Sequence, residues 1–140
     1  MIEVTVRRLR PEGRLPRQAS AAAAGYDLFA AQDTVVSARG RALVPTAIAI
    51  ALPPDYEAQV RPRSGLALHE GIRAHFGTID PDYRGEVMVL LHSDRDTDYT
   101  VKAGERVAQL VLAPIVRAAF REGELDETVR GEGGFGHTGR

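Results

Sequence analysis

Glycine and proline interrupt this chain so often that it can form only short elements over most of its length. The interruptions that bound the central runs are Gly40, Pro53, Pro54, Pro62, Gly71, Gly77, Pro81, Gly85 and Gly104. Proline cannot donate to a strand ladder, and glycine favours turns, so each interruption predicts the end of an element. Many short strands joined by turns predict an all-β fold, a jelly-roll sandwich or barrel.

The runs between these breaks have strand-like patterns. Residues 2–6 and 56–61 alternate apolar and polar side chains, the period of a half-buried strand. Residues 41–52 are rich in Val, Ile and Ala and are broken at Pro45. The apolar runs 86–91 and 106–115 predict strands buried on both faces. One short helix is predicted at 64–70, ended by Gly71, and residues 19–24 are predicted to be a loop.

Composition excludes several classes of protein. The net charge is −1, which argues against nucleic-acid binding through a general basic surface. No Cys is present, so disulfides and thiolate metal sites are excluded. The four His residues lack the spacing of a zinc helix. No stretch reads as a signal peptide or as a membrane span, so we expect a cytoplasmic protein without a membrane partner.

The chain divides into a core, residues 1–121, and a C-terminal arm, residues 122–140. The arm is acidic at first and then rich in glycine, so it cannot bury enough surface to fold alone. Its composition fits either a frayed tail or a flexible arm that orders over a ligand. Arg130 and Phe135, a charged fork and a flat ring set among glycines, favour the second interpretation.

A first group of residues suits phosphate binding. Arg63-Ser64-Gly65 lies where a strand turns into the short helix, where free N–H groups attract anions. Arg63 can pair with a phosphate through two hydrogen bonds, and Ser64 can cap the helix or donate to a phosphate. Gln109, in an apolar strand, needs a polar partner, either a ligand or neighbouring backbone. Asp27 is predicted to pair with an arginine of the site or to hold a metal indirectly.

A second group suits recognition of a base and its sugar. Gly77-Thr78-Ile79-Asp80, with residues 82–85, is predicted to form a β-hairpin whose backbone groups face the edge of a uracil-like base. Asp80 is placed to orient a water as a general base or to bond a sugar hydroxyl. The alternative for residues 80–82 is plain turn chemistry. Tyr83 is either a ring against the sugar or a core aromatic.

Five segments in this order make a pattern far more specific than any one of them. They are 24–28, 61–66, 77–85, 104–110 and 130–139. Together they closely resemble the trimeric dUTPase family, which hydrolyses dUTP to dUMP and pyrophosphate. The resemblance implies a jelly-roll homotrimer with three active sites at subunit interfaces. It also implies a role in keeping uracil out of DNA and in supplying dUMP for dTMP synthesis.

The resemblance also assigns roles to residues. Asp80 would activate the water that attacks the α-phosphorus, the 77–80 backbone and Met88 would read uracil, and Tyr83 would exclude ribose. Phosphates would be held by Arg63, Ser64 and Gly65 with help from Gln109. In the arm, Arg130 would grip the γ-phosphate, Phe135 would cover the base, and Gly136 and His137 would contact the substrate. Mg²⁺ would bind the triphosphate oxygens and water, with no direct protein ligand.

Two positions depart from the family pattern. His137 stands where the family commonly has Ser, and residues 73–76 lack an Asn that many bacterial members carry. The nearest rival is a dCTP deaminase-like relative, which needs a Glu where this chain has Leu90, and a leucine cannot move protons. The rival from another class is a non-catalytic nucleotide-binding regulator of the same fold, which would be expected to lack Asp80 or the arm.

Overall fold

The computed structural model describes residues 1–139, which form short strands and one short helix. The strands are β1 (Thr5–Arg8), β2 (Gly25–Phe29), β3 (Thr34–Val36), β4 (Arg41–Pro45), β5 (Ile48–Ala51), β6 (Tyr56–Arg61), β7 (Ile72–Ala74), β8 (Gly77–Ile79), β9 (Met88–Ser93), β10 (Tyr99–Val101) and β11 (Arg106–Pro114). The helix α1 (Ser64–Glu70) lies between β6 and β7. The predicted all-β character with one short helix is confirmed.

The paired strands are antiparallel and belong to four sheets. The largest has the order β2-β11-β6-β8, and a second has the order β4-β9-β7. Strands β1 and β5 form one two-stranded sheet, and β10 and β3 form another. Neighbours in the sheets are distant in the sequence, so the chain crosses repeatedly between layers, as in a jelly roll.

One hydrophobic core lies between the sheets. Its largest fully buried side chains include Leu28, Val44, Ile48, Ile72 and Leu91. Burial of each such side chain stabilises the fold by roughly 1.5–3 kcal/mol before the entropy of ordering is counted. The core therefore fixes the strands, and the loops at their ends are free to carry chemistry.

Several predicted elements are confirmed, some to the residue. The strand predicted at 56–61 is β6, and the helix predicted at 64–70 is α1. Gly71 ends α1 in the left-handed conformation (φ 62°), where glycine has no steric penalty. Residues 41–52 contain two strands with the break after Pro45, and residues 19–24 form a loop, as predicted.

Two predictions about strands are wrong. Strand β9 is not buried on both faces, because Met88, Leu90 and His92 are only half-buried while their neighbours are buried. Strand β11 likewise leaves part of one face half-buried. Among residues 1–139, the apolar run of β9 therefore has one buried face and one face that is only partly covered.

The predicted hairpin at 77–85 is also wrong. Strand β8 ends at Ile79 and pairs with β6, whereas the next strand, β9, pairs with β4 and β7 in another sheet. Residues 80–87 are thus a crossover between two sheets. Pro81 has no N–H to offer a ladder, which explains why a second hairpin strand does not form there.

The C-terminal stretch leaves the core after β11. Residues 115–139 contain no strand or helix, and from residue 116 onward their large apolar side chains are fully exposed: Val116, Phe120, Leu125, Val129 and Phe135. Arg140, the last residue of the predicted arm, lies outside the described residues. Within residues 1–139, no helix is long and apolar enough to cross a membrane.

Candidate active site

A small pocket opens beside β8, at the crossover between the two larger sheets. We call it the β8 pocket. Its volume is about 210 Å³, and it is lined by Val60, Gly77, Thr78, Ile79, Asp80, Tyr83, Glu86, Val87 and Met88. The predicted residues Gly77, Thr78, Ile79, Asp80, Tyr83 and Met88 are therefore brought together here. Strand β8 lies at the edge of its sheet and pairs with β6 on one side, so the backbone groups of its other side can bond the edge of a flat ring.

Asp80 lies at the mouth of the β8 pocket with its side chain exposed. Its backbone carbonyl accepts a hydrogen bond from the Tyr83 N–H (3.1 Å), so the predicted turn is present as well. No salt bridge occupies the Asp80 carboxylate among the described residues. A free carboxylate at a pocket mouth can accept a proton from water.

Tyr83 is not a core aromatic, because 44% of it is exposed. Its ring folds back over the turn, and its hydroxyl donates to the carbonyl of Glu86 at 2.9 Å. A Cβ at Gly85 would lie 2.4 Å from that hydroxyl, so only glycine allows this approach. Tyr83 is thus held at the pocket by a hydrogen bond and by the shape of the turn.

Glu86 is a second carboxylate that lines this pocket. Arg10 donates to it through both terminal nitrogens, at 2.5 and 3.2 Å, and the Ala47 N–H donates to it at 2.7 Å. The Arg10 guanidinium, followed by the Ala47 N–H, lowers the pKa of the Glu86 carboxyl despite its partial burial. Glu86 therefore remains ionised and fixed in place at neutral pH.

A second, larger cleft lies near the start of α1. We call it the arginine cleft. Its volume is about 870 Å³, and its walls include Arg14, Arg17, Asp27, Phe29, Arg63, Gly65, Leu66, Tyr99, Glu105 and Arg106. Arg14 also lies over the Phe29 ring, 5.7 Å from its centroid. Four guanidinium groups in one open cleft suit a polyanion such as a triphosphate.

Asp27 organises this cleft by pairing with two arginines. Its Oδ1 lies 3.2 Å from Arg63 Nε, and its Oδ2 lies 3.3 Å from Arg106 Nη1. The Asp27 side chain is 14% exposed, whereas Arg106 is half exposed and can still reach a ligand. The predicted pairing of Asp27 with an arginine of the site is present, and a second arginine joins it.

The start of α1 differs in detail from the prediction. Arg63, not Ser64, occupies the N-cap position, and no side chain caps the helix. Ser64 is the first helical residue and is exposed together with Gly65. The prediction that Ser64 caps the helix is wrong, and its hydroxyl is not engaged in capping.

Gln109 is satisfied by backbone, the alternative considered for it above. Its amide donates to the carbonyl of Pro62 at 3.0 Å. Gly25 provides the space, since a Cβ there would lie 2.2 Å from Gln109 Oε1. Gln109 therefore ties β11 to the turn that leads into Arg63 and Ser64.

Asp80 and Arg63 lie at opposite ends of β6. Ile79 pairs with Ala58, which places Asp80 opposite Glu57, while Arg63 follows the other end of the strand. Residues 57 and 63 are six apart, which at roughly 3.3 Å per residue is about 20 Å. Within one chain, Asp80 and Arg63 therefore cannot contact the same phosphate group.

The arm residues are not brought to either site within the chain. Arg130 Nε donates to the carbonyl of Gly133 at 2.9 Å, and His137 packs on Gly133. Gly136 has a positive φ of 83°, and Phe135 is fully exposed. Among residues 122–139, the hydrogen bonds are local to the arm.

Sequence reasoning missed Arg14, Arg17, Arg106, Glu86 and Arg10. Arg106 lies inside the fourth segment, 104–110, where Gln109 is the polar residue that stands out within an apolar run. The Arg10–Glu86 pair joins residues 76 positions apart, so no local pattern announces it. Among residues 1–139, no group of three or more His, Cys, Asp or Glu side chains could hold a metal ion.

Comparison with known proteins identifies the family of this chain. The dUTPase family model matches residues 12–139. The chain is 52% identical to the deoxyuridine 5'-triphosphate nucleotidohydrolase of Syntrophotalea carbinolica, over 99% of this chain and 97% of that protein. It is 53% identical to the enzyme of the same description from Oryza sativa subsp. japonica, over 96% of this chain and 79% of that protein.

A solved structure agrees with the fold. The dUTPase of Staphylococcus bacteriophage 80alpha, solved with dUPNHPP, superposes with a TM-score of 0.93 at 26% identity, and each chain is covered completely. The predicted jelly-roll fold is consistent with this match. From the family model and the identity to these enzymes, we conclude that the chain belongs to the dUTPase family.

Proposed function

We propose that this chain hydrolyses dUTP to dUMP and pyrophosphate, with Asp80 activating the attacking water. The observation that carries the proposal is the unpaired carboxylate of Asp80 at the mouth of a pocket of base-like dimensions. Membership of the dUTPase family indicates the substrate, and the positions of the site residues indicate which part of the substrate each would contact. A carboxylate within one water of the α-phosphorus can take the proton of that water, which contributes roughly 10²- to 10⁴-fold to the rate.

The β8 pocket is the proposed binding site for uracil and deoxyribose. The backbone of Gly77, Thr78 and Ile79, with Met88 opposite, would bond the edge of uracil and leave no room for a thymine methyl. Tyr83 stands where a ribose 2′-hydroxyl would collide. The backbone of β8 would thus select the base, and the Tyr83 ring would select the sugar.

The arginine cleft is the proposed binding site for the phosphates. Arg63, Ser64 and Gly65 would hold them, with Arg106 as a further cation and Gln109 and Asp27 keeping the segment in place. Guanidinium groups neutralise charge that develops on phosphate oxygens during the reaction. The proposed reaction has no covalent intermediate: the water activated by Asp80 attacks the α-phosphorus directly, and pyrophosphate leaves.

We propose Mg²⁺ as the cofactor, bound to the triphosphate oxygens and water. Mg²⁺ keeps several of its waters and is usually bound through substrate phosphates rather than by a protein cage, and a triphosphate in this cleft would supply such oxygen ligands. When bound, Mg²⁺ would neutralise phosphate charge and fix the triphosphate conformation. Asp80 and the arginines act on the water and on the phosphate oxygens respectively.

We further propose that the functional unit is a homotrimer, with Asp80 and Arg63 of each site coming from different copies. The separation of about 20 Å along β6 supports this, because Asp80 and Arg63 would both act at the triphosphate and cannot reach the same phosphate from one chain. The exposed Val116, Phe120, Leu125 and Val129 support it too, since burying large apolar side chains against another copy would remove them from water. A closed symmetric assembly would place each β8 pocket beside a neighbour's arginine cleft.

The division into a core, 1–121, and an arm, 122–140, is part of the same proposal. Residues 122–139 bond only locally, so they are free to reach another subunit's site. There Arg130 would bind the γ-phosphate and Phe135 would cover the base, with Gly136 and His137 in contact. A deaminase-like activity is disfavoured, because Leu90 offers no proton and does not line the β8 pocket.

The test is the variant Asp80→Asn assayed by release of pyrophosphate from dUTP in Mg²⁺. We expect kcat to fall by at least about 100-fold while dUTP binding, measured by calorimetry, changes little. Asp96→Asn is the matched control, since Asp96 pairs only with Arg39 on the surface. Normal turnover by Asp80→Asn would remove Asp80 from the mechanism.

A further inference from the structure

We infer that the ion pair of Arg10 and Glu86 sets the position of Tyr83 and is thereby a determinant of sugar specificity. The inference rests on the proposed function, because it concerns how the β8 pocket distinguishes dUTP from UTP. Arg10 and Glu86 both lie outside the five segments that define the family pattern, and Glu86 directly follows the third segment, 77–85. Both act through Tyr83, so they are positioning residues.

Burial in the core does not hold Tyr83 in place, because nearly half of it is exposed. Two local contacts hold it: its hydroxyl donates to the Glu86 carbonyl at 2.9 Å, and its ring lies against Gly85. Movement of the Glu86 carbonyl would therefore move the ring. Discrimination against a single hydroxyl depends on the ring standing within contact distance of the sugar.

The Glu86 carbonyl is fixed because its residue is bonded on several sides. Arg10 and the Ala47 N–H hold the carboxylate. The next residue, Val87, donates its N–H to the Ile48 carbonyl at 2.8 Å and accepts from the Thr46 hydroxyl. The crossover is thus anchored to the turn between β4 and β5, and Arg10 anchors it to the residues that follow β1.

Arg10 is the residue of this network that can be substituted with the least disturbance of the core, because its side chain lies at the surface. It is 43% exposed, and its guanidinium meets the Glu86 carboxylate through two hydrogen bonds, a geometry that fixes direction as well as distance. A surface ion pair with no functional role would affect only stability. Here Glu86 also provides the carbonyl that accepts the Tyr83 hydroxyl, so loss of the ion pair should alter the preference for dUTP over UTP.

The experiment compares kcat/KM for dUTP and for UTP in Arg10→Met, Glu86→Gln and Gly85→Ala. We expect the preference for dUTP over UTP to fall by about tenfold or more in each, chiefly through faster use of UTP. Arg10→Lys should recover part of the preference, because it restores the charge but not the two-point geometry. Arg39→Met is the control: it breaks an exposed pair with Asp96 and should leave the ratio unchanged.

The outcomes separate the inference from the function on which it rests. A wild-type protein that prefers dUTP, with variants that keep the same ratio and only melt earlier, overturns the inference alone. A wild-type protein that hydrolyses dUTP and UTP equally overturns both. If Gly85→Ala does not fold, Arg10→Met still decides, since its side chain lies at the surface.

Discussion

The change Asp27→Asn gives a sharp test of the arginine cleft. It keeps the size of the side chain and removes the charge that faces Arg63 and Arg106. Two unit charges about 4 Å apart interact by about 4 kcal/mol at an effective dielectric of 20, and the desolvation of the pair offsets much of this. Because Asp27 is mostly buried and Arg106 is half exposed, we expect a net loss of about 2 kcal/mol in the free energy of unfolding.

Thermal unfolding measured at one fixed protein concentration checks this value. For a chain of this length, about 2 kcal/mol corresponds to a fall in Tm of roughly 6–8 °C. The concentration must be equal for all samples, since assembly raises Tm by mass action. The control is Asp96→Asn, which breaks an ion pair of 2.6 Å between largely exposed groups and should cost at most about 0.5 kcal/mol.

The same variant should also weaken the enzyme. Without Asp27, the Arg63 guanidinium loses its orientation, so we expect KM for dUTP to rise by about tenfold. Equal melting temperatures for the Asp27 and Asp96 variants, with KM unchanged in both, would refute the assigned role of Asp27.

Three further predictions concern the supports of the site. Gly25→Ala should push the Gln109 amide off the Pro62 carbonyl and lower the free energy of unfolding, measured by chemical denaturation, by about 1–3 kcal/mol. Gly123→Ala, where the added methyl group meets open space, is the control and should leave that free energy almost unchanged. Equal losses in the two variants would contradict the described packing of Gln109. The lowered pKa of Glu86 contributes stability that is present above its usual value of 4.5 and is lost as pH falls through the pKa of the folded state. In a plot of the free energy of unfolding against pH, Glu86→Gln should therefore make the fall at acid pH less steep. An unchanged fall at acid pH would contradict this. Removal of residues 130–140 should leave Tm and oligomer size intact and abolish most turnover, and full activity would show that the arm is only a tail.

Local features were predictable from the sequence because their causes are local. Gly71 stops α1, and Pro45 separates β4 from β5, for reasons that a single residue contains. The alternation at 56–61 specified β6 to the residue. The grouping of residues 77–83 at one pocket followed from their closeness in the chain and from the family resemblance.

What could not be predicted depends on contacts between distant residues. The crossover after Ile79 sends β9 into another sheet, a choice made by pairing with β4 and β7 rather than by the turn itself. The half-buried face of Met88 and Leu90 looked like a fully buried strand, because a run of apolar residues does not show which molecule covers it. The pairs Arg10–Glu86 and Asp27–Arg106 likewise need the fold before they exist.

The central claim, that each active site joins Asp80 of one copy to Arg63 of another, is tested most directly by mixing two inactive variants. Asp80→Asn and Arg63→Ala chains are unfolded together in equal amounts, refolded and assayed with dUTP. A quarter of the sites should then combine an intact Asp80 with an intact Arg63, so the mixture should regain about a quarter of wild-type activity. A mixture as inactive as either variant alone, at the same oligomer size, would contradict the claim.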